Sequence, residues 1–231
     1  MPGSNRNIKK VVGQRDVKSA IDSVPPKAVI SRLSLYLREL QRLFAEGHVT
    51  VNSSSLGKRL GTSDAQVRKD FAYFGQFGYP GKGYKCQELA DRIKKILGTD
   101  RIWPVALVGC GNLGQALMGY GGFFRQGFNL TAAFDTSPTI IGNRIGSVVV
   151  ADFKQFRQVV RIKNIRLGIL AVPGTVAQEI GKAMAKAGIT GILNFAPVSL
   201  DLPKSVAVSS VDLAVELEQL SFAVVSALEK Q

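Results

Sequence analysis

Residues 105–114 read Val-Ala-Leu-Val-Gly-Cys-Gly-Asn-Leu-Gly, and no other stretch restricts the fold of this chain so much. A short apolar run leads into a Gly-x-Gly-x-x-Gly turn that opens a helix. An acidic residue, Asp135, closes a second apolar run about twenty residues further on. In that pattern Gly109 permits the tight turn, Gly111 lets backbone approach a pyrophosphate, and Gly114 lets helix pack close on strand. The N–H groups of Asn112, Leu113 and their neighbours then face the phosphate charge at the helix start, with Cys110 between the glycines as a small apolar filler. Asp135 is placed to accept hydrogen bonds from the adenosine ribose, and its charge repels a 2′-phosphate. The pattern therefore predicts NAD in preference to NADP.

Downstream, apolar runs alternate with helical periodicity. Strands are expected at Ser147 to Val150, Arg166 to Val172, Gly191 to Phe195 and Val206 to Val208. Helices are expected at Phe153 to Arg161 and Val176 to Ala187. Nearly continuous apolar strands between helices indicate α/β architecture, a doubly wound parallel sheet covered on both faces. Ligands of such sheets bind beyond the carboxyl ends of the strands. Two further turns fall there, Ala171-Val172-Pro173-Gly174 and Asn194-Phe195-Ala196-Pro197, and both are expected to line the nicotinamide half of the site.

The segment before the glycine turn has a different character. The chain carries a formal charge of +13, and residues 1–98 hold eighteen Lys/Arg against eight Asp/Glu, while the rest holds twelve against nine. So concentrated a basic segment points to nucleic acid, or less often to an anionic membrane surface. After a loose basic arm, 1–24, Pro25-Pro26 opens a helix with Ile30, Leu33, Leu37, Leu40 and Phe44 as its inner stripe, and Arg32, Arg38 and Arg42 on the other face. Ser53-Ser54-Ser55 starts a brief second helix. Ser63-Asp64-Ala65-Gln66 fits a capping box for a third, which carries Gln66, Arg68, Lys69 and Tyr73 off its apolar side. Helix, glycine turn and capped helix form a helix-turn-helix, whose second helix enters the major groove. There Gln reads adenine, and Arg reads guanine or holds phosphate. The glycine-rich stretch Gly75 to Tyr84 reads as a wing, with Lys82 and Gly83 near phosphate. The expected DNA contacts are thus Arg32, Ser53, Ser63, Gln66, Arg68, Lys69, Tyr73, Lys82 and Gly83. The expected domains are 25–98 for DNA, 99–210 for the dinucleotide, and a C-terminal helix in 211–231.

That last helix, Asp212 to Leu228, is apolar around much of its circumference and must find cover, either on its own sheet or on a partner subunit. A partner is the expectation, because two-fold dimers suit palindromic DNA. Two cysteines in different domains, without metal spacing, fit a reducing cytosol, and no metal is expected. No secretory signal or membrane span is expected. Catalysis is not expected: the one histidine, His48, is remote from the glycine turn, and no proton relay stands out. The rivals are an NAD-dependent oxidoreductase with a basic appendage and a Rossmann module for coenzyme A.

Taken together, Gln66-Val67-Arg68-Lys69-Asp70-Phe71, Tyr73-Phe74-Gly75, the glycine turn, Ala133-Phe134-Asp135, Gly191 to Pro197 and Val211 to Leu217 resemble the Rex family of redox-sensing transcriptional repressors. The resemblance runs from about Val24 to Ala227. It implies a homodimer of winged-helix and Rossmann domains with the C-terminal helix swapped onto the partner. It implies operator binding when NADH is scarce and release when NADH, rather than NAD+, is bound. It also implies a switch through Arg38, Tyr120 and Asp212, in which the carboxylate exchanges a tyrosine partner for an arginine. Pro80 stands where the family's wing often has a basic residue, and Gln115 where the family frequently has an arginine.

Overall fold

A computed structural model describes residues 25–75, 77–78 and 83–229. The expected basic arm 1–24, Pro80 and the wing lysine Lys82 lie outside the described residues. The chain divides into two compact units, Met1–Asp100 and Arg101–Gln231.

The first unit is built on α1 (Lys27–Ala45), α2 (Ser53–Arg59), α3 (Asp64–Ala72) and α4 (Cys86–Leu97). A small antiparallel pair joins them, β1 (Thr50–Val51) with β2 (Tyr84–Lys85). Leu33, Leu40, Leu56, Val67 and Ile93 are fully buried in one core. Each large aliphatic among them contributes roughly 1.5–3 kcal/mol over exposure. The expected inner stripe of α1 needs one correction. Phe44, in the last turn of the helix, is 52% exposed, and Leu43 is buried instead, together with Leu33, Tyr36, Leu37 and Leu40. Two caps set the helix-turn-helix: the Asn52 side chain accepts from Ser55 N–H, and Ser63 Oγ accepts from Gln66 N–H.

The second unit is a seven-stranded sheet. Its strands are β3 (Trp103–Val108), β4 (Phe128–Asp135), β5 (Arg144–Ile145), β6 (Val148–Asp152), β7 (Leu167–Leu170), β8 (Gly191–Asn194) and β9 (Ala207–Ser210). Their spatial order is β5-β6-β4-β3-β7-β8-β9, and every pairing is parallel except β5 with β6. Without the β5 edge this is the 3-2-1-4-5-6 order of a Rossmann sheet, reversing between β3 and β7. The helices are α5 (Asn112–Gly119), α6 (Gly122–Arg125), α7 (Phe156–Ile162) and α8 (Gly174–Ala187).

Details differ from the sequence reading. The last strand runs to Ser210 because its register with β8 continues through Asn194. Phe153–Gln155 is a 3-10 turn before α7, with the Asp152 side chain accepting from Lys154 N–H at its start. The hairpin β5–β6 went unforeseen, and β4 carries a bulge, since Leu130 and Ala132 pair with successive residues of β3. The bulged Thr131 turns its carbonyl to Lys163 Nζ at 2.6 Å.

The C-terminal helix, α9 (Leu213–Leu228), contains no buried residue. Leu213, Leu217, Leu220, Phe222, Val224 and Leu228 are each more than half exposed. Of the two kinds of cover expected for this helix, its own sheet supplies none. Among the described residues no helix is long and apolar enough to cross a membrane.

Candidate functional site

The glycine turn leaves β3 at the point where the sheet reverses. Val108 pairs with Phe134 on one side and with Leu170 on the other, and Leu170 pairs with Asn194. Four chain segments therefore end side by side: the turn at Gly109, Asp135, the loop Ala171-Val172-Pro173, and Asn194 to Pro197. The expected cofactor residues are brought to one edge of the sheet by register alone.

Each glycine of the turn has a separate constraint. Gly109 takes φ +93°, and a Cβ there would run into the Ala171 carbonyl oxygen. A Cβ at Gly114 would run into the Gly109 carbonyl oxygen, so only glycine lets the first turn of α5 lie this close. A Cβ at Gly111, by contrast, would meet nothing within 4 Å. Gly111, Asn112 and Leu113 are exposed, and α5 starts with no side-chain cap and no acidic residue in its first turn. Open backbone at an uncapped helix start is a seat for an anion.

Asp135 is already employed. Its Oδ2 accepts from Cys110 N–H at 2.7 Å, and Oδ1 accepts from Thr136 and Ser137 N–H at 2.7 and 2.8 Å. The carboxylate ties the glycine turn to the end of β4, and of its roughly four acceptor positions one is left for a further donor. Gln115 does related work from α5, donating to the Cys110 carbonyl at 3.0 Å. Burial, and then the charge of Asp135, push the Cys110 thiol up to about 11, so this buried sulfur stays protonated at neutral pH. Asn194 is fully buried, and its amide shapes its own loop. Nδ2 donates to the Ala196, Val198 and Ser210 oxygens, and Oδ1 accepts from Ala196 N–H at 3.0 Å. Its side chain thus supports the loop, leaving half-buried Phe195 and exposed Pro197 as the outer surface.

In the first unit a residue that the sequence reading passed over sits at the centre. Asp70 of α3 is fully buried and accepts four hydrogen bonds. Arg32 donates through Nε to Oδ2 at 2.6 Å and through Nη2 to Oδ1 at 2.7 Å, Tyr36 OH donates to Oδ2 at 2.8 Å, and Gln66 Nε2 donates to Oδ1 at 2.7 Å. Burial opposes the charged carboxylate. The bonds from Arg32, Tyr36 and Gln66 outweigh it and hold the acid below its usual range. Burial, and then the bond to Asp70, push the Tyr36 phenol well up. The signal for this residue was available: an acid four positions after Gln66 on α3, with an arginine and a tyrosine four apart on α1. Only tertiary packing shows that they meet.

The other expected DNA contacts among the described residues are exposed or half-buried. Arg68 donates to Asp64 at 2.7 Å and to Ser53 Oγ at 3.1 Å, so the starts of α2 and α3 are held together. That bond from Arg68 in turn lowers the Asp64 carboxyl. Lys69 is exposed and Tyr73 half-buried. Gly83 lines a cleft of about 290 Å3 with Thr50, Asn52, Ser55 and Arg59. Of the expected switch residues, Arg38 is exposed on α1. Tyr120 follows α5, 57% exposed and edge-on to Phe123 at 5.1 Å. Asp212 caps α9, its Oδ1 accepting from Ala214 and Val215 N–H at 3.0 and 3.4 Å. Among the described residues no group of three His, Cys, Asp or Glu is placed to hold a metal ion.

Residues 100–198 match a family model described as CoA binding domain, and residues 24–72 match one described as putative DNA-binding protein N-terminus. The chain is 47% identical over 197 residues to the redox-sensing transcriptional repressor Rex of Carboxydothermus hydrogenoformans, covering 85% of this chain and 95% of that one. It is 43% identical over 198 residues to the Rex repressor of Chloroflexus aggregans, covering 86% and 93%. Among solved structures it is similar to RSP, a Rex-family repressor. RSP in complex with β-NAD+ and operator DNA gives a TM-score of 0.85 at 35% identity, over 90% of this chain and 97% of that one. RSP in complex with β-NADH gives 0.81 at 33% identity, over 90% and 99%.

Proposed function

The chain belongs to the Rex family of redox-sensing transcriptional repressors, and from that premise we propose that it binds operator DNA through α3 and the wing and releases it when NADH occupies the glycine turn. It acts as a regulator in the cytoplasm, not as an enzyme. The observation that carries the reading is the open, uncapped start of α5 beside Gly111, with Asp135 keeping one acceptor position for a ribose hydroxyl. Phosphate meets the helix start, and nicotinamide lies toward Ala171 to Pro173 and Phe195 to Pro197. The oxidised ring is cationic and the reduced ring is not, so an apolar pocket penalises NAD+.

The uncovered α9 supports a homodimer in which this helix packs on the second copy. Release of DNA requires NADH to prefer the released state, by about 5.5 kcal/mol to move a population from 1:99 to 99:1. Asp212, at the root of α9, is proposed to couple the two ligands by exchanging Tyr120 for Arg38, one carboxylate serving two alternative donors. DNA contacts are assigned to Ser53, Ser63, Gln66, Arg68, Lys69, Tyr73, Lys82 and Gly83. Arg32 is assigned to hold Asp70.

The deciding experiment is a fluorescence-anisotropy titration of palindromic duplexes, repeated with saturating NADH, NAD+ and coenzyme A. Tight, salt-sensitive binding that NADH abolishes and NAD+ spares supports the reading. Release by coenzyme A, which the match over residues 100–198 makes worth testing, would replace the ligand but keep the fold. Hydride turnover with a small substrate would instead favour an oxidoreductase.

A further inference from the structure

Tyr120 stands at the break between α5 and α6, with extended backbone at φ −77° and ψ 98°. Gly121 returns at once to helical angles, and the chain doubles back so that the Tyr120 ring lies over Gly122, two residues on. A Cβ at Gly122 would run into that ring, meeting Cζ, Cε1 and the hydroxyl oxygen. Gly122 is buried, although the residue lying on it is 57% exposed. The ring also meets Phe123 edge-on at 5.1 Å, and its hydroxyl makes no hydrogen bond among the described residues. The phenol is thus held by shape alone, on a flat seat of bare backbone. At Gly109 and Gly114 the obstacle to a Cβ is backbone, which cannot give way. At Gly122 it is the far end of an exposed side chain, and rotation about χ1 clears it. Gly122 itself lies outside the left-handed region, so its backbone accepts alanine.

We propose that Gly122 is the positioning residue of the switch: its bare backbone is the seat that the Tyr120 phenol takes up in one state and leaves in the other. The inference rests on the reading that Tyr120 couples the two ligands. A switch residue needs two positions close in energy. A ring held by van der Waals contact, with no hydrogen bond to break, leaves its place at small cost. A methyl group at 122 fills the seat and confines the phenol to the remaining position. Coupling that runs through movement of this ring is then lost, while both ligand sites stay built. Glycine here touches neither DNA nor nucleotide, and its part in regulation is to be empty.

The test uses the full-length protein and the tightest-binding duplex recovered from a randomised pool. Affinity for that duplex is measured without and with saturating NADH, and the ratio of the two is the coupling. Gly122→Ala is expected to lower the ratio at least roughly tenfold, with DNA and NADH each still bound when offered alone. Gly121→Ala is the control. A Cβ there has one neighbour within 4 Å, Arg125 Nη1 at 3.5 Å, and the ratio should stay within about twofold of the wild type. In a Tyr120→Ala chain the ring is gone, so adding Gly122→Ala should change the ratio by less than about twofold. A wild-type ratio in Gly122→Ala, with the ratio lost in Tyr120→Ala, would overturn the proposal and leave the switch standing. An equal loss from Gly121→Ala would overturn it too, as would a further loss in the Tyr120→Ala background. If Tyr120→Ala itself couples like the wild type, the underlying reading sinks and the inference with it. Should Gly122→Ala not fold, a fluorine label on the Tyr120 ring of the otherwise unaltered protein decides the matter. Its resonance is expected to shift when NADH displaces the duplex, and an unmoved resonance refutes a seat that is vacated.

Discussion

Asp70 and Asp135 are both acids at the organising point of their units, and they are employed in opposite ways. Asp70 gathers four donors from three side chains on two helices and is closed, with no acceptor position left and no exposure. Asp135 gathers three backbone N–H groups, two of them its own immediate successors, and keeps one position open at the edge of a sheet. The first joins distant parts of the chain and specifies a shape. The second shapes a short turn and is left with capacity for a ligand. A buried acid is thus a structural member or a recognition group according to how many of its lone pairs the protein itself uses.

The sharpest break of that comparison is Asp70→Ala. It strands the buried Tyr36 hydroxyl and the half-buried Arg32 guanidinium and should cost the first unit about 3–5 kcal/mol, read as a lowered thermal midpoint and lost DNA binding. NADH binding by the second unit should survive in calorimetry. If the midpoint is unmoved, Asp70 is not the closed member of the pair.

Next in size is Asp135→Ala. Loss of a charged acceptor should weaken NADH by about 1.5–3 kcal/mol and narrow its advantage over NADPH, both read by calorimetry. Because the same carboxylate holds the Cys110 N–H, some of that loss will come from a loosened turn. Unchanged affinity would place the ribose elsewhere.

Tyr36→Phe sharpens the comparison more gently. It leaves Asp70 three donors and should cost about 1 kcal/mol. It also predicts a pH effect. The folded-state pKa of Asp70 lies below its unfolded value, so its contribution is present above the unfolded value and is lost as pH falls through the folded one. Removing a donor raises the folded value, so denaturation of the Phe variant should begin at higher pH than in the wild type. Coincident acid-denaturation curves would show that the phenol contributes nothing.

The smallest effect concerns Cys110. Its raised folded value means that the unfolded chain releases the thiol proton first as pH rises. Stability from this group is therefore full below about 9 and falls as pH climbs toward 11. Native protein at pH 8 should resist alkylation there while unfolded protein reacts. Rapid labelling of the native chain would contradict the burial.

The alternation of strand and helix and the glycine turn were readable in sequence because each depends on residues close together in the chain, whereas the sheet reversal rests on distant pairings such as Val105 with Leu167. Gly109 and Gly114 even show their separate reasons in steric terms. The role of Asp70 does not show in sequence, since its partners Arg32 and Tyr36 are 38 and 34 positions away. The bond from Arg32 was hidden for the same reason: a lone arginine on a helix shows charge, not its counter-charge. Asn194 was expected to face the ligand, but a buried amide takes the backbone groups nearest to it, and those belong to its own loop. The short β5 strand has too few residues for any periodicity to show.

The bare apolar length of α9 has a consequence outside the single molecule. If its cover is a second copy, then each chain is a ligand for the other, and the midpoint of unfolding rises with protein concentration. The number of chains in a cell then enters the regulation alongside the nucleotide ratio. A cell making few copies holds a larger share of single chains with α9 bare, and for a two-fold operator those are half-readers. Dilution becomes a second signal to which such a repressor responds, independent of NADH.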